Sequence, residues 1–206
     1  MKKDLTTMIM SSAILASLSL FADLPQPFTN IQNLPPTPYF VQDAYVLYSL
    51  INQNNAAVIV DVESQDGGVA RYVAQQVNTL TSVKEIYSVN AWQSSDRSQK
   101  YLFQRFLSNV IQENTAQLIT PIRMTSREAA EALNIQADFI SLVGANDQDT
   151  IYRDIVAWYT HLSNNGVICG NNWNDSSVQV GVTKAAATLE QTLHVNNNVW
   201  YFVKGS

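Results

Sequence analysis

Residues 56–68 read AAVIVDVESQDGG, and this stretch decides the fold that the sequence predicts. Its first part is an apolar run that continues to the acidic residue Asp61, a pattern typical of a strand buried on both faces of a parallel sheet. The pair Gly67-Gly68 then opens a segment whose apolar residues, up to Leu80, recur at helical spacing. The stretch therefore predicts a buried strand that leads through a tight turn into a helix.

Strands and helices alternate along the rest of the chain. Further strands are predicted at residues 85–90, 118–124, 138–144, 167–170 and 199–203. Helices are predicted to begin near residues 40, 67, 96, 126, 151 and 182, and the last one to continue to Leu193. Strands separated by helices form βαβ units. The sequence thus predicts an α/β fold, a three-layer αβα sandwich around a mostly parallel sheet, in one domain at residues 40–206.

The composition excludes several classes of function. The chain has 206 residues with a net charge of −5, and 46% of them are hydrophobic, which is enough for one domain with a real core. The acidic excess argues against a nucleic-acid partner, because binding phosphates requires a basic surplus. A single cysteine, Cys169, and two histidines exclude an internal disulfide and a cysteine-based or multi-histidine metal centre. Cys169 itself is predicted to be an inert buried thiol.

Residues 1–22 have the features of a bacterial secretory signal peptide. Lys2 and Lys3 precede an apolar run, and Ala22 is a suitable small residue at the cleavage point. The run is short and rich in serine for a membrane span. We therefore expect a secreted or periplasmic protein that has no stable membrane insertion after cleavage. The alternative is an uncleaved membrane anchor, since Leu20 stands where a small residue is usual.

A proline-rich arm follows the predicted signal. Residues 23–39 contain five of the six prolines of the chain. Proline removes a backbone donor and fixes φ, so the arm is predicted to be neither a helix nor the interior of a sheet. It is either a flexible spacer or an arm laid over the domain.

The candidate site lies at the carboxyl ends of the strands, where α/β sheets of this kind bind their ligands. The segments that follow the predicted strands are 61–68, 90–92, 125–126, 143–147 and 171–173. In this order they resemble the corresponding segments of the class I S-adenosylmethionine-dependent methyltransferases, a family with a Rossmann-like sheet. The closest likeness is to the small O-methyltransferase-like branch. It is carried by residues 58–68, 85–92, 137–144, and 154–158 together with 165–173, and it extends over residues 40–206.

The resemblance implies a cofactor, a reaction and a set of site residues. The cofactor is S-adenosylmethionine, and the reaction is methyl transfer to the hydroxyl of a small-molecule acceptor. The implied cofactor-binding residues are Asp61, Glu63, Gly67, Gly68, Asn90, Ser126 and Val143. The implied substrate-binding residues are Asn171, Asn172 and Trp173.

The sequence departs from the family pattern at polar positions. Glu63 stands where the family has the first glycine of the turn, and Asn90 stands where an acid holds the cofactor ribose. Val143, and the pair Asn171-Asn172, stand where the family has carboxylates after the fourth and fifth strands. A hard cation needs at least one or two carboxylates. We therefore predict no metal site, and the sequence does not identify a catalytic residue.

Two functions remain open. One is an exported methyltransferase with unusual ligands, and the other is a non-catalytic pseudoenzyme that acts as a secreted protein-binding module.

Three residues also have alternative roles. Ser126 either contacts adenine or is the N-cap of the next helix. Trp92 lies either on the cofactor or at the edge of the core. Trp173 either lines the acceptor pocket or packs within its loop.

Overall fold

The computed structural model describes residues 24–38, 41–93, 101–144 and 147–205. The predicted signal peptide at residues 1–22 lies outside these residues. The predicted three-layer αβα sandwich is confirmed, because a seven-stranded sheet lies between two layers of helices.

The sheet is mostly parallel, as predicted. Its strands in chain order are β1 (Val58–Val62), β2 (Glu85–Val89), β3 (Ile119–Ile122), β4 (Ala137–Leu142), β5 (Leu162–Gly170), β6 (His194–Asn196) and β7 (Val199–Val203). Across the sheet they lie in the order β3-β2-β1-β4-β5-β7-β6. The first five strands pair in parallel, whereas β7 pairs antiparallel with β5 and with β6. The strand order reverses between β1 and β4, and this switch point is where open α/β sheets bind ligands.

Helices cover both faces of the sheet. They are α1 (Ala44–Gln53), α2 (Gly68–Gln75), α3 (Leu102–Gln112), α4 (Ser126–Ala132), α5 (Gln148–Tyr159) and α6 (Ser176–Leu189). Because successive side chains of a strand point to opposite faces, β1 contributes to two cores. Ile59 packs with α1, α2 and α3, whereas Val60 and Val62 pack with α4, α5 and α6. None of the helices in the described part of the chain is long and apolar enough to span a membrane.

The structure corrects the predicted ends of two elements. The last helix ends at Leu189 and not at Leu193, and His194–Asn196 form an additional strand that pairs with β7. This strand has only three residues, two of them exposed, so it has no apolar run by which the sequence could reveal it. The predicted break at Asn164-Asn165-Gly166 lies inside β5, where the register with β4 is irregular.

The described part of the proline-rich arm, residues 24–38, lies against α3. Phe28 is 1% exposed and belongs to the core of α1, α2 and α3. The backbone N–H of Thr37 donates to Oδ1 of Asn109 at 3.1 Å, and the carbonyl oxygen of Thr37 accepts from Nη2 of Arg71 at 3.0 Å. The arm is therefore attached to the domain by both apolar and polar contacts.

Candidate functional site

A cavity of about 270 Å³ opens at the carboxyl ends of β1, β4 and β5. We call it the strand-end cavity. Of the residues that the sequence assigns to the site, those that line it are Asp61, Glu63, Gly68, Val143 and Asn171. Ser141 and Cys169, which the sequence did not assign to it, also contribute to the lining. Burial raises the pKa of the Cys169 thiol, and this side chain is therefore neutral.

Asp61 is a fully buried carboxylate. Its Oδ2 atom accepts a hydrogen bond from the backbone N–H of Ala70 at 3.1 Å, so it caps the first turn of α2. Its Oδ1 atom has no hydrogen-bond partner among the described residues. Burial, with a smaller contribution from the charge of Asp66, raises the pKa of Asp61 to about 7, although the Ala70 bond opposes the shift. Asp61 therefore titrates near neutral pH.

Glu63 has a backbone conformation that is usual for glycine, but it carries a side chain. Its φ of 60° lies in the left-handed region, which glycine adopts without strain. The side chain is half-buried and lies against Gly144, where a Cβ atom would be 2.5 Å from the Glu63 Cβ atom. Burial, followed by the charge of Asp154, raises the pKa of Glu63, whereas a hydrogen bond from the backbone N–H of Ser126 lowers it.

A second cavity, of about 710 Å³, lies between the N-terminal ends of α4 and α5. We call it the helix-end cavity. Its lining includes Ser126, Gly144, Asp154 and, on the side of the strand-end cavity, Glu63. Between the two cavities is a void of only about 10 Å³, which Glu63 and Val143 also line. A void of this size holds at most about one water molecule. Glu63 therefore forms part of the wall that divides the strand ends into two compartments.

Ser126 belongs to the helix-end cavity and is not the N-cap of α4. That position is held by Thr125, whose side chain accepts from the backbone N–H of Glu128 in a capping box. The Ser126 hydroxyl instead donates to Oδ1 of Asp154 at 2.8 Å and accepts from Nε1 of Trp158 at 3.0 Å. Burial raises the pKa of Asp154 in spite of the bond from Ser126.

Asn90 and Trp92, at the end of β2, are hydrogen-bonded to each other and to the turn after β1. The Oδ1 atom of Asn90 accepts a hydrogen bond from the backbone N–H of Trp92 at 2.7 Å. The indole N–H of Trp92 donates to the carbonyl oxygen of Gln65 at 2.6 Å, and the ring packs on Phe103 and Phe106. Trp92 is thus a residue of the core edge that ties the end of β2 to the turn after β1.

The turn after β1 also bonds directly to β2. The backbone N–H of Ser64 donates to the carbonyl oxygen of Val89 at 3.2 Å, and the Ser88 hydroxyl donates to that of Ser64 at 2.6 Å. Gly67 precedes α2 with a φ of 86°, and a Cβ atom there would meet the Phe106 ring at 2.7 Å. Gly67 therefore permits close packing against α3 and does not line the strand-end cavity.

The remaining predicted substrate residues lie apart from the two cavities. Asn172 has a φ of 59° in the turn after β5. Trp173 packs against the core of α4, α5 and α6, and its backbone N–H donates to the carbonyl oxygen of Asn198 at 3.2 Å. Trp173 therefore packs its loop against this core and lines neither cavity.

Two polar residues of the site were missed by the sequence analysis. Ser141 is the polar residue in the apolar run 139–143, and this break in the pattern could have identified it. Asp154 carried no such signal, because its partner Ser126 is remote in sequence. Within the described residues, no three His, Cys, Asp or Glu side chains are grouped so as to hold a metal ion.

Comparisons with known proteins find a similarity in structure but none in sequence. No protein-family model matches the sequence, and no curated protein matches it significantly. Cofactor-bound Rv0187 from MTB is 11% identical with a TM-score of 0.60, over 93% of this chain and 89% of that chain. The precorrin 8w decarboxylase of Methanobacterium thermoautotrophicum is 14% identical with a TM-score of 0.62, over 89% of this chain and 100% of that chain.

A third similar structure is CalS11, a TDP-rhamnose 3'-O-methyltransferase of calicheamicin biosynthesis. It is 11% identical with a TM-score of 0.59, over 80% of this chain and 79% of that chain. At such identities the likeness concerns the fold, and it agrees with the strand order 3-2-1-4-5-7-6. The chain has the fold of the class I S-adenosylmethionine-dependent methyltransferases.

Proposed function

We propose that this chain is a non-catalytic binding protein built on the class I methyltransferase fold. The observation that carries the proposal is the position of Glu63. Its side chain lies against Gly144 and separates the strand-end cavity from the helix-end cavity. A cofactor held as in these methyltransferases needs a glycine at this turn, so that the turn backbone can approach it. Here a partly buried carboxylate takes that space.

The end of β2 supports the same proposal. The single acceptor oxygen of the Asn90 side chain already accepts from the backbone N–H of Trp92, so it cannot accept both ribose hydroxyls as an acid would. The bond from Trp92 to Gln65 holds the turn after β1 against the end of β2. The residues present therefore do not fit S-adenosylmethionine as this family holds it, and we derive no reaction step through that cofactor.

We further infer that the protein acts outside the cytoplasm. The basic start, apolar run and small residue of residues 1–22 support export to the periplasm or the medium. The ligand would then be a small molecule at the strand ends or an exported protein. An acidic chain with a net charge of −5 does not favour nucleic acid.

A second candidate function is methyl transfer to the hydroxyl of a small molecule. It is favoured by the fold and by the likeness to CalS11, whose substrate name specifies a sugar hydroxyl. Glu63 lines both cavities, and its raised pKa would then suit a general base. This candidate requires that the protein bind S-adenosylmethionine.

Calorimetric titration of S-adenosylmethionine and of S-adenosylhomocysteine separates the two functions. We expect no binding at millimolar ligand by the wild-type protein, whose folding is checked by circular dichroism. Micromolar binding by the wild type would overturn the proposal in favour of the methyltransferase. We expect the double variant Glu63→Gly/Asn90→Asp to bind, because it restores both the glycine turn and the ribose acid.

Glu190→Gly is the matched control for the substitution at position 63. Glu190 also has a left-handed backbone, with a φ of 53°, but it lies at the end of α6. Replacing Glu190 with glycine removes the strain of a left-handed backbone without changing either cavity. The variant should therefore give the same titration as the wild type. Failure of the double variant to bind would mean that Glu63 and Asn90 are not what excludes the cofactor.

A further inference from the structure

Three neighbouring strands place a row of polar side chains along the floor of the strand-end cavity. Asp61 of β1 is in register with Ser141 of β4, and Ser141 is in register with Cys169 of β5. All three residues are 0–1% exposed and line the cavity. The row thus brings a carboxylate and a hydroxyl onto neighbouring strands at the bottom of this cavity.

Two side-chain oxygens of this row, on neighbouring strands, lack hydrogen-bond partners. Within the described part of the chain, neither Oδ1 of Asp61 nor Oγ of Ser141 has a hydrogen-bond partner. Most buried polar atoms in proteins are hydrogen-bonded, and an exception calls for an explanation. Because both residues line the cavity, a ligand with hydrogen-bond donors would supply what the two oxygens lack.

The charge of the cavity defines the ligand further. Asp61, Glu63 and Asp66 line it, whereas none of its described lining residues is Lys, Arg or His. Its other walls include the apolar side chains of Val69 and Val143. A complementary ligand is therefore a cation that carries N–H donors on a short hydrocarbon chain.

The size of the cavity restricts the ligand to a small molecule. A volume of about 270 Å³ corresponds to the share of about nine water molecules in the liquid. The described acids are not grouped as a metal site, which favours an organic cation over a metal ion.

We propose that the strand-end cavity binds a small primary aliphatic amine, with the ammonium group between Asp61 and Ser141 and the hydrocarbon chain against Val69 and Val143. The inference rests on the proposed function, because it takes this cavity as the ligand site of a protein that does not use S-adenosylmethionine. The ammonium group donates to Oδ1 of Asp61 and to Oγ of Ser141, while Oδ2 of Asp61 keeps its bond from Ala70.

The probe for the test is n-butylamine, titrated calorimetrically into the purified full chain at about pH 8, where Asp61 is mostly ionised and the amine is still an ammonium ion. Its neutral and anionic counterparts, 1-butanol and butyrate, have similar size. We expect saturable one-site binding of the amine, with both counterparts binding at least about tenfold more weakly, since a bond to a charged group contributes more than a neutral one. Equal binding of 1-butanol would overturn the proposal.

Two variants locate the site. Asp61→Asn keeps an oxygen for the Ala70 N–H but presents an NH₂ group to the ligand, so it should weaken amine binding at least about tenfold. Ser141→Ala should weaken it several-fold. Ser108→Ala is the matched control, because Ser108 is a buried serine on α3 that does not line the cavity. Undiminished binding by folded Asp61→Asn would also overturn the proposal.

A parallel titration of S-adenosylmethionine distinguishes failure of the inference from failure of the proposed function. If neither the amine nor S-adenosylmethionine binds, only the amine site is wrong. If S-adenosylmethionine binds at micromolar concentration, the proposed function is wrong, and displacement of the cofactor by butylamine would show that the amine occupies part of a cofactor site. The cavity would then hold the ammonium group of the cofactor itself.

Discussion

The Glu63 side chain lies so close to Gly144 that a methyl group at position 144 would be 2.5 Å from the Glu63 Cβ atom. Real Cβ atoms do not approach so closely, so the two positions are coupled. We expect Gly144→Ala to destabilise the protein by about 1–3 kcal/mol, the usual cost of overpacking. In the Glu63→Gly background the same substitution should cost much less, because the atom that it meets is gone.

A double-mutant cycle measured by urea unfolding checks this coupling. The cycle compares the wild type, the two single variants and the double variant. Additive effects of the two substitutions would contradict the contact between residues 63 and 144. They would also remove the main support for Glu63 as the wall between the two cavities.

Asp61 should make the stability of the protein depend on pH. Its pKa is about 3.8 without the fold and about 7 in the fold. From about pH 4 to about pH 7 the folded protein keeps a proton that the unfolded chain has lost, so this contribution to stability decreases as the pH rises. The total decrease is on the order of 4 kcal/mol at most.

Asp61→Asn removes this titration and keeps an acceptor for the Ala70 N–H. The free energy of unfolding of the variant minus that of the wild type should therefore increase from about pH 5 to about pH 8. Urea unfolding at several pH values measures it, and taking the difference cancels the titration of other acids such as Asp154. A difference that does not change with pH would show that Asp61 titrates normally.

Much of the fold could be predicted from the sequence because the buried strands are apolar runs. Residues 59–62 are buried on both faces of the sheet, so their burial appears directly in their mostly apolar composition. The strand at His194–Asn196 has no such run, since it is an edge strand held by pairing with β7. Its existence depends on a tertiary neighbour, which local patterns do not contain.

The site could be predicted only to the level of strand ends. The sequence placed Asp61, Glu63 and Asn171 at one edge of the sheet, and all three line one cavity. It did not reveal that the Asn90 oxygen accepts from the backbone N–H of Trp92 or that Ser126 bonds to Asp154. Such bonds depend on side-chain rotamers and on the packing of separate helices.

Ser141 and Ser88 should respond in opposite ways to removal of their hydroxyls. Both are 0% exposed, but Ser141 has no hydrogen-bond partner among the described residues, whereas Ser88 donates to Ser64 at 2.6 Å. We expect Ser141→Ala to stabilise the unliganded protein by up to about 1 kcal/mol and Ser88→Ala to destabilise it by about 1 kcal/mol. Urea unfolding of both variants tests this. A loss of stability in Ser141→Ala would show that its hydroxyl has a partner in solution.

Arg71 should be required to hold the proline-rich arm on the domain. Its buried guanidinium forms an ion pair with Glu113, which is 18% exposed, and donates to the carbonyl oxygen of Thr37 in the arm. Arg71→Met keeps the apolar stem but leaves Glu113 without its cation, so we expect a loss of about 3 kcal/mol in urea unfolding. Cleavage of the arm by a non-specific protease should also become faster.

Arg127→Met is the control for this prediction. Arg127 pairs with Glu131, and these side chains are 84% and 66% exposed, so the substitution should change neither measurement. Equal effects of the two substitutions would mean that the buried pair does not hold the arm.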